Sequence, residues 1–309
     1  MQNKINNITL YLLILFAIYS TLIIGISWDE LIHVERGNER LKYLFSFGAY
    51  SYLDYGDQKF YPGFYNTLAT LITKMFPKKL EISTLHLVNS LFSILTIFGI
   101  SKISSELFNK QVGKIVFLLC FFNPTFFGHI AINQKDMIIA FSNVWATYFI
   151  FKYLKKQHID EKRNKYSILV GLTFGLGLGV RIVFLSTIIP IIIFSILDVL
   201  FFKKIANKKF SNKKMLIDVF KIFIIAYTIM ISCWPDTHKN IFIMPIILFI
   251  ESFNDIIGIP LALINGNIYN TAETPKLYLL INLFYKLPEA ILVCYLVFVF
   301  LFLINNKFY

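Results

Sequence analysis

The sequence predicts an all-α membrane protein with about eight transmembrane helices, and three observations carry that prediction. Hydrophobic residues make up 57% of the 309-residue chain and charged residues only 16%, whereas soluble domains are roughly 45–50% apolar and 25% charged. The mean hydropathy is +0.65. Apolar runs recur along most of the chain, separated by short polar segments. The chain is therefore expected to fold in a bilayer rather than in water.

Each span needs about 20 apolar residues to cross a hydrocarbon core of ~30 Å. The first run follows a single lysine and is longer than the core of a signal peptide, so we expect it to be an uncleaved span. By this criterion the candidate spans are 8–27, 83–101, 113–129, 136–151, 167–186, 187–202, 216–233 and 287–305.

The net charge of +12 is a signal of topology. The lysines fall in short clusters between apolar runs, as they do in cytoplasmic loops, so no nucleic-acid partner is expected. With the N-terminus in the cytoplasm, two long outer loops, about 28–82 and 234–286, receive most of the acidic residues. We therefore predict one transmembrane domain, residues 1–309, whose chemistry lies in the outer loops.

The outer loops also predict helices that lie in the membrane plane. Apolar residues recur every three or four positions over 31–45 with charged residues between them, which is typical of an amphipathic helix. A second short helix is predicted over 64–76, after Tyr61-Pro62-Gly63. The three cysteines show no metal-ligand spacing, and neither a disulfide nor a zinc site is expected.

Asp29 and Glu30 stand where the first span leaves the membrane. Charges flank spans routinely, so the pair could be an ordinary flank. Alternatively, a carboxylate at the membrane face could take a proton from an acceptor hydroxyl, because a low-dielectric surrounding makes it a stronger base.

The next candidates lie around the fourth span and in the fifth. Asp136 could cap a helix N-terminus or line a site, and His129 and Lys135 could face a phosphate or remain in the interface. Arg181 falls inside an apolar run, where an arginine costs at least about 2.5 kcal/mol and usually has a partner or a task. Its fork of donors suits a lipid phosphate.

The second outer loop contains Trp234-Pro235-Asp236-Thr237-His238-Lys239, an Asn265-Gly266 turn and Lys286-Leu287-Pro288. Turn chemistry alone accounts for the glycines and prolines. The remaining functional candidates in this loop are His238 and Lys239, which could bind substrate, and Lys286, which could help to hold a phosphate.

These motifs, in this order relative to the spans, resemble the protein O-mannosyltransferase family (glycosyltransferase family 39) and the bacterial aminoarabinose and related lipid-linked sugar transferases, which are of the GT-C type. The acidic pair with a Tyr-Pro element resembles the family's first outer loop, which implies that Asp29 is the catalytic base. The stretch from Asn123 to Asp136 is similar to the passage that brings an aspartate into the active cavity. Glu30 and Asp136 would then orient Asp29 or the substrate hydroxyls, and Tyr61 could contact substrate.

The resemblance implies transfer of a sugar from a polyprenyl-phosphate donor to a hydroxyl of a lipid, glycan or protein, with inversion, at the periplasmic face of a bacterial inner membrane. No cofactor is expected; a divalent metal ion is possible, because three carboxylates could hold Mg²⁺. A transporter or flippase for a lipid-linked or anionic substrate is the alternative, although inverted repeats and broken helices are its usual signs. A noncatalytic scaffold is a third reading.

Overall fold

The structure is a computed structural model that describes residues 2–51, 56–207, 209–254, 261–270 and 273–304. Short 3-10 or π turns connect several of its helices. Within the described ranges the α-helices are α1 (Gln2–Ile23), α2 (Glu30–Phe45), α3 (Phe64–Thr73), α4 (Glu81–Leu107), α5 (Lys110–Phe121), α6 (Pro124–His129), α7 (Asp136–Lys156), α8 (Asp160–Val180), α9 (Phe184–Leu197), α10 (Asn212–Ser232), α11 (Met244–Asn254), α12 (Tyr278–Lys286) and α13 (Glu289–Ile304).

Long apolar helices dominate the structure, as the sequence predicts for a multi-pass membrane protein. By length and composition, four of the described helices can cross a bilayer: Lys78–Leu107, Asp136–Lys156, Phe184–Phe202 and Asn212–Ser232. A fifth span is reached if α12 and α13, which are bent by 115° at their junction, count as one. The predicted number of eight spans is not confirmed.

The predicted span 113–129 is wrong, because the chain breaks inside it. Helix α5 ends at Phe121. Asn123 is the N-cap of α6, since its side-chain oxygen accepts a 3.0 Å hydrogen bond from the Phe126 amide, and Pro124 is at the first helical position. The twelve residues of α5 extend over roughly 18 Å at 1.5 Å per residue. That length is too short to cross a hydrocarbon core.

The predicted span 167–186 also ends early. Helix α8 stops at Val180, Arg181 is extended with φ −152° and ψ 134°, and α9 begins at Phe184. Arg181 therefore lies at the junction of two helices and not in the middle of one. The fold is mostly helical, as predicted, and the described residues add one short antiparallel hairpin, in which Leu261–Ile264 pairs with Asn267–Asn270. Its Asn-Gly turn has both residues at positive φ, as this type of tight turn requires.

Helices α2 and α3 form a small layer over one end of the bundle. Gly37 allows their close approach, since a Cβ atom there would meet Thr70 Oγ1 at 2.0 Å. Below them, one core cluster joins α3, α4, α7 and α8: Tyr65, Ala69, Leu85, Ile138 and Val180. Burying each large side chain of this kind contributes about 1.5–3 kcal/mol. The cluster fixes the start of α7 and the end of α8 beneath α3.

Helix α4 adds polar contacts in the same region. Asn89 Nδ2 and Ser93 Oγ both donate to the carbonyl of Ile130, at 3.1 and 2.9 Å. Tyr65 Oη donates to Asn89 Oδ1 at 3.2 Å. Because buried polar groups are costly when unpaired, these bonds hold the α6–α7 connection in one position against the bundle.

The two ends of the bundle differ in composition. At one end, which we call the site end, the α1–α2 turn, the α6–α7 connection and the α8–α9 junction meet beneath α2 and α3. At the other, the lysine end, most of the lysine clusters lie in the helix ends next to the α4–α5, α7–α8 and α9–α10 connections and in the α9–α10 connection itself.

Candidate functional site

A cavity of about 320 Å³ opens at the site end. That volume lies at the small end of the range for small-molecule sites. It is lined by residues from three connections, from α2, from the end of α6 and from the start of α7: Ser27, Trp28, Asp29, His33, His129, Ile132, Asn133, Gln134, Lys135, Asp136 and Arg181. The structure thus brings together Asp29, Asp136 and Arg181, which are far apart in the sequence, with Lys135 and His129 beside them.

Asp29 occupies the N-cap position of α2, but its side chain makes no capping hydrogen bond. Its carboxylate is exposed and lines the cavity. A carboxylate that is accessible and is not used by its own helix can approach a hydroxyl group. The geometry therefore allows acid–base chemistry at this position.

Glu30 has a different environment from its neighbour. It is fully buried, and His86 Nε2 of α4 donates to its Oε1 at 2.7 Å. The amide of Ser27 donates to its Oε2 at 2.6 Å. Glu30 does not line the cavity, so it holds the α1–α2 turn in place and thereby positions Asp29.

Asp136 is the first residue of α7, and its carboxylate is exposed in the cavity. Its side chain does not cap the helix. Asn133 does so instead, since its Oδ1 accepts from the amides of Lys135 and Asp136 at 3.2 and 2.8 Å. Asn133 Nδ2 also donates to Asp136 Oδ2 at 3.1 Å, so it orients this carboxylate.

Tyr61 organises the cationic side of the site. Arg181 Nη2 donates to the Tyr61 hydroxyl at 2.9 Å. The guanidinium carbon of Arg181 and the ammonium nitrogen of Lys135 each lie 5.0 Å from the centre of the Tyr61 ring, within the range of cation–π attraction. One aromatic ring therefore keeps two cations together, and a clamp of this kind suits a phosphate group.

Two more arginines lie close to Tyr61. Arg36 and Arg40 line a second, very small cavity with Tyr61, Lys135 and His33. Arg40 is 1% exposed, and its Nη2 donates to the carbonyl of Tyr61 at 2.9 Å. Three of the four arginines in the chain thus lie around this site. Sequence reasoning used the scarcity of arginine for Arg181 only, although the same signal marks Arg36 and Arg40.

His33 was also missed. It is 4% exposed and borders both cavities. Burial, followed by the charges of Lys135, Arg36, Arg40 and Arg181, lowers the pKa of His33 from 6.5 to about 3. A buried histidine on an amphipathic helix gives no distinctive signal in the sequence, because only the fold brings the cations around it.

Three predicted residues lie away from the cavity. His238 Nε2 donates to the carbonyl of Ile231 at 2.8 Å, and Lys239 is exposed and lines neither cavity. The carbonyl of Lys286 accepts from Thr125 Oγ1 at 2.7 Å, and its side chain is exposed outside the lining. The second outer loop instead supports the first one, since Trp234 Nε1 donates to the carbonyl of Lys59 at 2.7 Å.

A protein-family model described as dolichyl-phosphate-mannose-protein mannosyltransferase matches residues 62–233, more than half of the chain. The chain belongs to this family. It is therefore a membrane glycosyltransferase of the GT-C type. The mannosyltransferase match includes His129, Lys135, Asp136 and Arg181, and it begins just after Tyr61, so it does not extend to Asp29.

No curated protein and no solved structure matches the chain. Among the described residues, no group of three or more histidine, cysteine, aspartate or glutamate side chains is arranged to hold a metal ion.

Proposed function

We propose that this glycosyltransferase moves a sugar from a polyprenyl-phosphate donor to a hydroxyl group of a lipid, glycan or protein. The observation that carries the proposal is one cavity with two accessible carboxylates, Asp29 and Asp136, and the cations Lys135 and Arg181. A phosphate leaving group needs positive charge, and an alcohol nucleophile needs a base. The cavity contains both.

In the proposed reaction, the donor phosphate binds to Arg181 and Lys135. Asp29 removes the proton of the acceptor hydroxyl while the hydroxyl oxygen forms a bond to the anomeric carbon. The bond from that carbon to the phosphate oxygen breaks, and its electron pair leaves with the polyprenyl phosphate. Attack from the face opposite the phosphate inverts the anomeric carbon.

Other residues would have supporting roles in this reaction. Asp136, oriented by Asn133, would bind sugar or acceptor hydroxyls, and His129 lies beside it in the lining. Glu30 would act through its hold on the α1–α2 turn. We propose that no metal ion is needed, because Arg181 and Lys135 provide charge for the phosphate, and we expect EDTA to leave the rate unchanged.

The proposed location is the periplasmic face of a bacterial inner membrane, with the N-terminus in the cytoplasm. The lysine clusters at the end opposite the cavity support this orientation through the positive-inside rule. We expect a cysteine placed at Phe47, which is 99% exposed at the site end, to react with an impermeant thiol reagent added outside, in a variant without the three native cysteines. Failure of that cysteine to react with the reagent would show that the site end faces the cytoplasm.

The transfer itself is tested with Asp29→Asn and Asp136→Asn in proteoliposomes that contain a polyprenyl-phosphate sugar. Loss of a general base costs about 10²–10⁴ in rate, so we expect Asp29→Asn to lose at least 100-fold, with normal insertion and melting. Asp136→Asn, which removes a binding contact, should lose less. Unchanged transfer in both variants would remove the proposal and leave a transporter or scaffold as the alternative.

A further inference from the structure

His33 is the one histidine that joins the two cavities of the site end in the described structure. It projects from α2, is 4% exposed, and has no role in the proposed reaction. Its ring lies where the cationic side of the site meets the carboxylate side. A polar ring in this position can contact a bound donor from the protein interior.

Asn66 determines which ring nitrogen carries the proton. Asn66 Nδ2, on α3, lies 3.2 Å from His33 Nδ1. An amide nitrogen can only donate a hydrogen bond, so Nδ1 must accept it. In the neutral imidazole the proton is therefore on Nε2, at the opposite edge of the ring, and that N–H remains able to donate.

The surrounding charges keep the ring neutral. The cations are Arg36 and Arg40 on the same helix, Lys135 from the α6–α7 connection and Arg181 from the α8–α9 junction; with burial they lower the pKa of His33 to about 3. The other titratable groups that line the two cavities are Tyr61, Tyr65, Asp29, His129 and Asp136. At pH 5 to 8 His33 is thus a neutral hydrogen-bond donor.

We propose that His33, through Nε2–H, donates a neutral hydrogen bond to a phosphate oxygen of the lipid-linked donor and so helps to position it. This inference rests on the proposed function. The phosphodiester of such a donor carries one negative charge, and the two positive charges of Lys135 and Arg181 already exceed it. A neutral hydrogen-bond donor orients the phosphate through a directional contact and does not add a further positive charge to the cationic cluster.

Two substitutions of His33 distinguish the contributions of its two ring nitrogens to donor binding. The amide of His33→Gln can place a donor near the position of Nε2, whereas the shorter His33→Asn retains polarity only near Nδ1. The probe is farnesyl phosphate, and its affinity is measured for the intact protein in nanodiscs between pH 5.5 and 8. We expect His33→Asn to bind about tenfold more weakly and His33→Gln to stay within about threefold of the parent protein.

A second measurement covers the case in which His33→Asn folds poorly. Asn66→Asp replaces the amide donor with a carboxylate, which accepts a hydrogen bond from Nδ1–H. It therefore favours the tautomer with no proton on Nε2, and this should weaken binding at neutral pH. If that effect acts through His33, it should be smaller in the His33→Gln background than in the parent protein. Equal effects in both backgrounds would contradict the proposal.

Other results of these binding measurements would show whether the role of His33 fails alone or the proposed function fails with it. Parent-like binding by His33→Asn, with farnesyl phosphate bound normally by the parent, overturns the role of His33 alone. A ratio of parent to His33→Gln affinity that rises as the pH falls through 6.5 shows that His33 binds as a cation, which also overturns it. Absence of binding to the parent protein removes the proposed function and this inference together.

Discussion

The buried acids of the lysine end and the acids that line the site-end cavity have opposite environments. At the lysine end, Asp198 is 4% exposed and accepts from the backbone amides of Lys204, Ile205 and Ala206. Asp218 is 1% exposed and accepts from the hydroxyl of Tyr153 at 2.8 Å, with Lys221 and Arg163 within 3.5 Å. Both carboxylates are used by the fold.

At the site end, Asp29 and Asp136 are exposed in the cavity, whereas Glu30 is buried against His86 and Glu39 is buried against Lys42. The comparison separates acids that hold helices together from acids that can meet a substrate. It also explains why neighbouring acids in the sequence, Asp29 and Glu30, have different roles. Burial and partners distinguish them, and the sequence motif does not.

The largest expected effect concerns Glu30, the buried acid that holds the α1–α2 turn. Glu30→Ala leaves His86 buried without its partner, and the free energy of unfolding should fall by roughly 2–5 kcal/mol. Thermal denaturation in detergent measures this loss. The exposed Glu35 on the same helix is the control, since Glu35→Ala should change stability by only about 0.5 kcal/mol. Equal melting of both variants would show that the His86 contact does not hold the turn.

The second prediction compares an arginine from each end. Arg181→Ala should lower kcat/KM for transfer by about 10²–10³, as the loss of one charged transition-state contact does. Arg163→Ala, at the lysine end, should leave the rate per folded molecule unchanged. Arg181→Lys should be intermediate because it keeps the charge but loses the fork.

Tyr61→Phe serves as the control for this comparison, because it removes only the hydroxyl to which Arg181 donates. We expect a smaller loss than in Arg181→Ala. Equal losses in Arg181→Ala and Arg163→Ala would mean that the two ends do not differ in function.

The third prediction tests the scaffold behind Tyr61. Gly63 has φ +73°, and a Cβ atom there would lie 2.2 Å from the guanidinium carbon of Arg40. Gly63→Ala should therefore destabilise the protein by about 1–3 kcal/mol and weaken donor binding. A Cβ atom at Gly128, in α6, would meet no other atom within 4 Å. Gly128→Ala is therefore the matched control and should melt at or slightly above the parent temperature.

Much of this architecture follows from the sequence, and the errors have identifiable causes. The length of an apolar run predicts the long helices well, but it takes no account of helix caps. Asn123-Pro124 is a helix start that divides the predicted span 113–129. This signal is visible in the sequence. The Asn265-Gly266 turn likewise indicated a hairpin. Arg181 looked intramembrane because its neighbours are apolar on both sides, and only the helix break places it at the cavity.

The site was predictable only in part. Motif order was enough to nominate Asp29, Asp136, Lys135 and Arg181, which share the cavity, although their chemical roles are still predictions. The sequence could not separate Glu30 from Asp29, because the partner of Glu30 is His86, more than fifty positions away. It could not identify His33, whose environment depends on Asn66 and on cations from three segments.

The smallest expected effect is on pH dependence. Because the pKa of His33 is about 3 in the folded protein and 6.5 in the reference state, the unfolded chain binds one more proton between these values. Stability should therefore fall as the pH drops below 6.5, by at most about 1.4 kcal/mol per pH unit from this group. His33→Gln should reduce the slope of melting temperature against pH between 6.5 and 5. An unchanged slope would show that other groups determine the acid response.

The central claim is that the site-end cavity receives the phosphate of a lipid-linked sugar. An electron cryo-microscopy structure of the protein in nanodiscs with bound polyprenyl phosphate measures this directly. We expect phosphate density within hydrogen-bonding distance of Arg181 and Lys135, with Asp29 across the same cavity. Phosphate density at the lysine end, or outside the cavity with Asp29 remote from it, would contradict the proposed function.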